Sequence, residues 1–275
     1  MNTHDSIKQD PNFVHSLAKG LEILSAFSEG EMLGNQQLVS LTGMPKATVS
    51  RLTSTLTAMG YLRVDPRTRK LLMGSRLLGM GVSVQRKIGL QRLARPLLER
   101  LSADTGLSLT MGTRDRLGLV VLEAIRPPAE TRLVTNVDAG TVLPIAETAI
   151  GLAYIVAAPL REQTSLLKAL SQRFAQDWPL LRERIETAHA EYARYGFITT
   201  QRSWNRDVNG VAIPFFSTPR NTLYVFNFAG PATRMPLKHM RRELGPLLLQ
   251  LEQELREAMK RSPGPRLAPP EIYEP

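Results

Sequence analysis

Apolar residues recur every three or four positions in three separate stretches near the start of the chain. This spacing is typical of amphipathic helices that bury one face. We place Ser16 at the N-cap of the first helix. We expect the buried faces to consist of Leu17, Leu21, Leu24 and Phe27 in the first helix, Leu38 and Leu41 in the second, and Val49, Leu52, Leu56 and Met59 in the third.

Turn residues separate these helices. Gly43 follows the second helix in a position that favours a left-handed backbone, Pro45 opens the third helix, and Gly60 closes it. The next stretch, "YLRVDPRTRKLLM", contains two short runs on either side of Asp65-Pro66, which predicts a two-stranded hairpin. Helix, tight turn, helix and basic hairpin together are the arrangement of a winged helix-turn-helix domain, here residues 13–74.

The rest of the chain predicts a second, α+β domain. Residues 75–90 read as a linker helix and residues 91–260 as the domain itself, while the Pro-rich residues 261–275 are expected to form a disordered tail. Strand-like segments cover residues 107–114, 118–125, 131–137, 196–204, 210–216 and 221–230. Helical segments cover residues 91–104, 144–158 with Glu147 in the first turn, two stretches in 160–195, and 236–260 with a bend at Gly245-Pro246. A doubly wound α/β sheet is the alternative, but the clustering of strands in 107–127 and 196–229 favours antiparallel pairing.

Composition narrows the classes of protein. A length of 275 residues suits two domains, and the absence of cysteine removes disulfides, thiolate metal sites and cysteine nucleophiles. We see neither an apolar stretch of membrane-spanning length nor a signal-peptide pattern, so we expect a cytoplasmic protein without a membrane partner. The net charge of +10 favours a polyanionic partner.

The positive charge is concentrated around the third helix and the hairpin. Residues 41–80 contain seven basic residues and one acidic residue, a local net charge of +6. Because the N-terminal residues of the second helix in a helix-turn-helix pair enter the major groove, we expect these residues to contact double-stranded DNA. The candidate contacts are Lys46, Thr48, Ser50, Arg51 and Thr55 on the helix and Arg67, Arg69 and Lys70 on the hairpin. The alternative is an ordinary solvated polar face.

The sequence contains no strong catalytic signature. The four histidines are scattered without metal-ligand spacing, and no P-loop, GxSxG or HExxH motif is present. We expect no catalytic residues, no cofactor and no metal. The leading hypothesis is a ligand-responsive transcription factor. The alternatives are a small-molecule-processing enzyme with an appended basic domain, and a winged domain that docks protein or RNA.

Four segments, in their order and spacing, resemble the IclR-type transcriptional regulators. They are "SLAKGLEIL", "LTGMPKATVSRLTSTLTAMGYL" with its hairpin, "GTVLPIAETAIGLAYIVA", and "GFITTQRSW" followed by "VAIPF" and "FNFAGP". The resemblance covers about residues 16–260. It implies a winged helix-turn-helix, a linker helix used in dimerisation, and a GAF-like domain that binds a small effector. It also implies homodimers or dimers of dimers on palindromic operators, and an effector that is an organic or aromatic acid of a catabolic pathway.

The resemblance also implies an effector-binding surface. Its residues in this chain are Leu143, Ala149, Ile150, Thr200, Gly210, Asn227 and Ala229. The sequence departs from the family pattern at Ala146, Leu152, Ser203 and Asp207, so the identity of the ligand does not transfer.

Two features of the residues themselves also suggest a ligand. Strand alternation places Asn227 on an apolar face, where a ligand could partner its amide; neighbouring backbone or water is the alternative. Arg202 and Trp204 could form a carboxylate clamp with a stacking wall, and the alternative is an ion pair between Arg202 and Asp207. We therefore hypothesise an aromatic or other organic carboxylate as the effector.

Overall fold

The computed structural model describes residues 10–27, 31–87, 89–127, 137–218 and 221–261. Contacts divide the chain into two compact units, Met1–Lys87 and Ile88–Pro275. The division falls inside the predicted linker, whose helix ends at Lys87. The predicted tail lies outside the described residues except for Arg261, which ends the last helix.

The first unit contains the predicted helices and hairpin. Its elements are α1 (His15–Ser25), α2 (Asn35–Thr42), α3 (Lys46–Ala58), β1 (Leu62–Val64), β2 (Leu71–Met73) and α4 (Arg76–Lys87). The two strands pair antiparallel, and Leu33 forms a further antiparallel bridge with Leu71. The core consists of Ile23, Leu33, Leu38, Met44, Val49, Leu62 and Leu71. This unit is a helix-turn-helix followed by a short wing.

The buried face of α1 matches the prediction only in part, since Leu24 and Phe27 pack against the core as partly buried side chains. Leu17 and Leu21 are 62% and 56% exposed, whereas Gly20 and Ile23 are buried. A Cβ atom at Gly20 would lie 4.0 Å from the Leu52 side chain, so this glycine is part of the face that packs on α3. A pattern of apolar side chains does not include glycine. The predicted buried face of α1 therefore lies to one side of the observed one.

Three smaller expectations in this unit were also wrong. Helix α1 begins at His15 after Val14, and no side chain caps it, so Ser16 is not the N-cap. Leu41 and Met59, at the C-terminal ends of α2 and α3, are exposed and lie outside the core.

The second unit is one antiparallel sheet with helices on both faces. Its elements are α5 (Gly89–Thr105), β3 (Ser108–Asp115), β4 (Gly118–Ile125), β5 (Val142–Pro144), α6 (Ala149–Ala157), α7 (Leu160–Arg173), α8 (Trp178–Tyr195), β6 (Ile198–Gln201), β7 (Val208–Ser217), β8 (Thr222–Pro231), α9 (Leu237–His239), a π-helical turn (Met240–Leu244) and α10 (Gly245–Arg261). The strand order is β5-β4-β3-β8-β7-β6, and every pair is antiparallel. The antiparallel α+β prediction is confirmed over the doubly wound alternative.

Each face of the sheet has its own apolar core. Phe226 and Phe228 face the core formed with α5 and α10, whereas Leu223 and Val225 face the core formed with α6, α7 and α8. Because side chains alternate along a strand, Asn227 faces the α6 side, as predicted. A cavity lies on that side of the sheet.

Several predicted boundaries in this unit need correction. Helix α6 begins at Ala149 with Thr148 as its N-cap, so Glu147 lies in the preceding turn and not in the helix. Strand β6 ends at Gln201, so Arg202 and Trp204 do not alternate along a strand. The predicted strand at 131–137 lies outside the described residues except for its last residue. A bend was predicted at Gly245-Pro246. The structure has a π-helical turn directly before these residues, and Pro246 lacks the backbone N–H that a regular helix would use.

Candidate nucleic-acid interface and ligand cavity

The turn between α2 and α3 is set by local backbone geometry. Gly43 has φ of 68°, and its amide donates to the Val39 carbonyl at 2.9 Å. Gly43 ends α2 in the left-handed backbone conformation. A residue with a side chain would be strained in this conformation, whereas glycine is not. The Thr53 hydroxyl donates to Asn35 Oδ1 at 3.2 Å, linking the middle of α3 to the start of α2. The two helices are therefore held at a defined angle.

The outward face of α3 carries the predicted polar residues. Lys46, Ser50, Arg51 and Thr55 are exposed and Thr48 is half-buried. Ser54 is exposed as well and continues the same face. It is a residue that the prediction missed, although its spacing of four from Ser50 could have indicated it.

The wing loop is organised by a single carboxylate. Asp65 Oδ1 accepts hydrogen bonds from the Arg67 amide at 3.0 Å, the Thr68 amide at 2.7 Å and the Thr68 hydroxyl at 2.9 Å. The bonds from Thr68 lower the pKa of Asp65 below its ordinary value. Arg69 takes a positive φ of 60°, so the chain turns sharply, with Arg67 and Arg69 exposed and Lys70 half-buried.

The five basic side chains predicted to contact DNA have no acidic partner among the described residues. Lys46, Arg51, Arg67, Arg69 and Lys70 form no ion pair with any residue that the structure describes. Unneutralised cations raise the local potential and attract a polyanion. The arrangement is suited to phosphate and base-edge contacts.

A cavity of about 790 Å³, its open mouth included, lies in the second unit on the α6 side of the sheet. Strand pairing explains its floor: Thr110 lies opposite Asn227, and Gly210 lies opposite both Ala229 and Thr200. The start of α6 forms one wall, and the loop between β6 and β7 forms another. Eight of the nine predicted effector residues line it, namely Leu143, Ala149, Ile150, Thr200, Trp204, Gly210, Asn227 and Ala229.

Arg202, the ninth predicted residue, does not line the cavity. Its backbone has a positive φ of 52°, and its amide donates to Asn209 Oδ1 at 3.0 Å and to the Val208 carbonyl at 3.1 Å. The chain therefore bends away from strand geometry, and the Arg202 side chain is exposed. No ion pair joins it to Asp207, although the structure describes both residues. The carboxylate-clamp interpretation of Arg202 is not supported.

Polar groups in the cavity are held by the protein itself. Asn227 accepts a hydrogen bond from the Thr110 hydroxyl, and its Nδ2 donates to the Phe228 carbonyl at 3.3 Å. The Thr148 hydroxyl donates to the Pro144 carbonyl at 2.8 Å and accepts from the Gly151 amide at 3.2 Å. The amides of Ala149 and Ile150 precede the intrahelical ladder of α6, so the positive end of that helix dipole lies at the cavity wall.

The prediction also missed part of the cavity wall. Arg126, Ser203 and Asn205 line it, and the Ser203 hydroxyl donates to the Glu147 carbonyl just before α6. Nothing in the sequence around Arg126 distinguishes it from other arginines that follow a strand. Its position becomes visible only once the sheet is assembled.

The described part of the chain contains no group of three or more His, Cys, Asp or Glu side chains that could hold a metal ion. Within the same residues, no helix combines the length and the apolar character that crossing a membrane requires.

Comparison with known proteins places these sites in a family. The model of the IclR helix-turn-helix domain matches residues 16–66, and the model of the bacterial transcriptional regulator IclR C-terminal domain matches residues 82–256. The chain belongs to the IclR family of transcriptional regulators. As an IclR-family protein it is a DNA-binding regulator, and its cavity lies within the C-terminal match. Arg67, Arg69 and Lys70 lie just beyond the N-terminal match.

Individual IclR-family relatives resemble the chain over most of its length. It is 54% identical over 274 residues to the HTH-type transcriptional regulator TsaQ1/TsaQ2 of Comamonas testosteroni, covering 99% of both chains. The structure matches an IclR-family transcriptional regulator from Brucella abortus with a TM-score of 0.78 and 32% identity, covering 91% of this chain and 94% of that one. An IclR homologue from Microbacterium hydrocarbonoxydans complexed with 4-hydroxybenzoate shares the fold, with a TM-score of 0.71, 15% identity, and coverage of 90% and 100%.

Proposed function

We propose that this IclR-family regulator reads a palindromic operator through the exposed face of α3 and the wing loop. The observation that carries the proposal is the set of cations on these two elements, which form no ion pair with a described residue. Lys46 and Arg51 lie in the first half of α3, which enters the major groove in helix-turn-helix proteins. Arg67, Arg69 and Lys70 on the wing are suited to phosphates or to the adjacent minor groove.

The two elements make different contributions to binding, and this difference can be tested. An operator is first selected from a random duplex pool, and affinities are then measured by fluorescence anisotropy at several salt concentrations. Arg51→Ala is expected to reduce discrimination between operator and random duplex by about tenfold or more, because a base contact carries about 1–3 kcal/mol. Arg67→Ala is expected to weaken both duplexes alike and to reduce the salt slope by about one per lost phosphate contact.

Arg182→Ala is the matched control for both variants. Arg182 is exposed on α8 in the second unit, where it pairs with Glu186. It is expected to leave affinity, discrimination and salt slope unchanged. Failure of the wild-type protein to bind any duplex at low salt would contradict the proposal, as would equal binding of duplex DNA and duplex RNA.

A palindromic operator requires two copies of the chain, so we also propose a homodimer or a dimer of dimers. The exposed apolar residues of the first unit support this proposal. Val14, just before α1, and Leu17 and Leu21 on α1 are 56–62% exposed, and Leu78 and Met80 on α4 are 69% and 55% exposed. Light scattering after size-exclusion chromatography is expected to give at least twice the monomer mass. Leu17→Glu together with Leu21→Glu is expected to weaken the assembly, and a monomeric wild type would contradict it.

The cavity is the proposed site of a small organic acid that controls DNA binding. Its wall combines apolar side chains with the positive end of α6, an environment suited to a carboxylate on an apolar or aromatic body. The Microbacterium homologue complexed with 4-hydroxybenzoate is an example of an aromatic acid bound by a protein of this fold. At 15% identity it supports the fold and not the identity of this ligand.

Calorimetric titration with benzoate, 4-hydroxybenzoate, phenylacetate, hexanoate and succinate tests the acid proposal. At least one acid is expected to bind and to change the affinity for the selected operator. The neutral carboxamides serve as controls, because a site that selects an anion binds them more weakly. If none of the acids binds, or if acids and amides bind equally, the effector is not an acid.

A further inference from the structure

The described wall of the cavity carries one charged side chain. Arg126 follows β4 directly and lines the wall. Among the wall residues that the structure describes, it is the only charged one. With the start of α6 it gives the cavity two positive features and no acidic side chain in the described wall.

Arg126 already forms an ion pair with an acidic neighbour. Its Nη2 lies 2.7 Å from Asp138 Oδ1 and donates to the Val137 carbonyl at 3.3 Å. The side chains of Arg126 and Asp138 are 34% and 40% exposed, so the pair is reachable from solvent. Nε and Nη1 make no hydrogen bond with a described residue, and both are donors that a planar guanidinium can offer to a carboxylate.

Asp138 lies in a turn that is fixed by hydrogen bonds. The Asp138 amide donates to the Thr141 hydroxyl at 3.0 Å, and the Thr141 amide donates back to the Asp138 carbonyl at 3.0 Å. This turn is joined to β4 by bonds from the Val121 amide to the Thr141 carbonyl at 2.9 Å and from the Gly140 amide to the Val121 carbonyl at 2.8 Å. The longer Arg126 side chain has more rotatable bonds than that of Asp138, so it can turn towards a ligand while the turn stays in place.

We infer that Arg126 anchors the anionic group of the effector and that Asp138 competes with the effector for it. The inference rests on the proposed function, since it assumes an acid in the cavity. A carboxylate that engages the Arg126 fork weakens the Arg126–Asp138 pair. Binding therefore loosens the link between the end of β4 and the turn before β5. A neutral molecule cannot replace the Asp138 carboxylate as a charged partner, and therefore gains little from Arg126.

Neutralising each partner separately gives opposite results if this inference is correct. Arg126→Gln is expected to lower the affinity for 4-hydroxybenzoate, or for the tightest-binding acid of the panel, by about tenfold. This is the low end for a charge-assisted hydrogen bond, because the site is partly exposed. Asp138→Asn is expected to raise the affinity for the same acid several-fold, because it removes the competitor. Neither change is expected to alter the affinity for the matching carboxamide by more than about twofold.

The double variant separates direct competition from a general effect of charge. In an Arg126→Gln background, Asp138→Asn is expected to give no gain in acid affinity, because no arginine remains to be released. Arg206→Gln is the matched control: Arg206 is exposed, lies between the wall residues Asn205 and Val208, and does not line the cavity. It carries the same change of charge and is expected to leave acid binding unchanged within about twofold.

Binding can be followed by the fluorescence of Trp204 on the cavity wall, in a Trp178→Phe background that leaves it as the only tryptophan. Circular dichroism of each variant checks that the fold is retained. If wild type and Arg126→Gln bind the acid equally, the anchor role is wrong even though the acid effector stands. If Asp138→Asn gains equally with and without Arg126, the competition is wrong. If neither wild type nor any variant binds an acid, the proposed effector class itself is wrong.

Discussion

Glu191 provides a quantitative test of how the edge of the cavity is held. This carboxylate is 8% exposed on α8. Its Oε2 accepts from the Thr199 amide at 2.7 Å, and its Oε1 accepts from the Thr199 hydroxyl at 2.7 Å. Arg241, in the π-helical turn, donates to Oε1 from Nε at 3.2 Å and from Nη2 at 3.0 Å. One side chain therefore ties α8 to β6, whose Thr200 lines the cavity, and to the segment before α10.

Removal of this carboxylate leaves several donors without an acceptor. A hydrogen bond to a charged group contributes about 1.5–3 kcal/mol, and breaking a buried ion pair costs about 3–5 kcal/mol. The Arg241 side chain is 38% exposed and can be rehydrated, so we take the lower part of this range. Glu191→Ala is expected to lower the free energy of unfolding of the second unit by about 3 kcal/mol.

Urea unfolding followed by tryptophan fluorescence measures this change in the intact chain. The two tryptophans, Trp178 and Trp204, both lie in the second unit, so the signal reports that unit alone. With a slope of about 1–3 kcal/mol/M, a loss of about 3 kcal/mol moves the midpoint by about 1–3 M. Glu186→Ala is the control on the same helix: its side chain is 62% exposed in a pair with Arg182, and the expected loss is below about 0.5 kcal/mol. Equal midpoints for the two variants would refute the assigned role of Glu191.

Three further substitutions test other parts of the structure. The Thr68 bonds lower the pKa of Asp65, so they stabilise the wing loop above about pH 4, and this stabilisation is lost as the pH falls through the depressed pKa. Amide NMR shifts of the loop should therefore titrate in wild type and not in Asp65→Asn. Gly210→Val places a Cβ atom 3.2 Å from that of Ala149 on the cavity floor, and is expected to reduce acid affinity at least about tenfold in the calorimetric assay. Gly151→Ala overlaps the backbone of the turn before α6, and is expected to lower the melting temperature of the second unit by about 4 °C or more.

Much of the first unit could be predicted because its structure depends on neighbouring residues. Gly43, Pro45 and Gly60 mark turns through backbone sterics that act within a few residues. The polar face of α3 follows from helical spacing, and the wing follows from Asp65-Pro66. The error on α1 has a different origin. Which side of that helix is buried depends on Gly20 meeting Leu52, a contact that a pattern of apolar side chains does not contain.

In the second unit, local patterns determined the kinds of elements but not their exact ends. Asn227 was placed on the correct face because strand alternation is a local rule. Arg202 was misplaced because its positive φ depends on Asn209, which holds its amide from the next strand. An isolated stretch of sequence cannot show such a cross-strand bond.

The amino-acid sequence was enough to predict the family, most of the helices and strands, and the basic face of α3 with its wing, but it did not predict β5, which ends where a helix was expected to begin. Eight wall residues were predicted, whereas the place of Arg126 and Thr110 on the wall and the exclusion of Arg202 from it became visible only in the folded structure, because the wall is built from strands far apart in the chain. Thr110 and Asn227, 117 residues apart, become hydrogen-bonded neighbours only when β3 pairs with β8. The same assembly places Arg126 on the wall and Arg202 in solvent, although both arginines directly follow a strand. Helical and strand spacing act over a few residues, whereas the environment of a charge is set by the packing of the whole sheet.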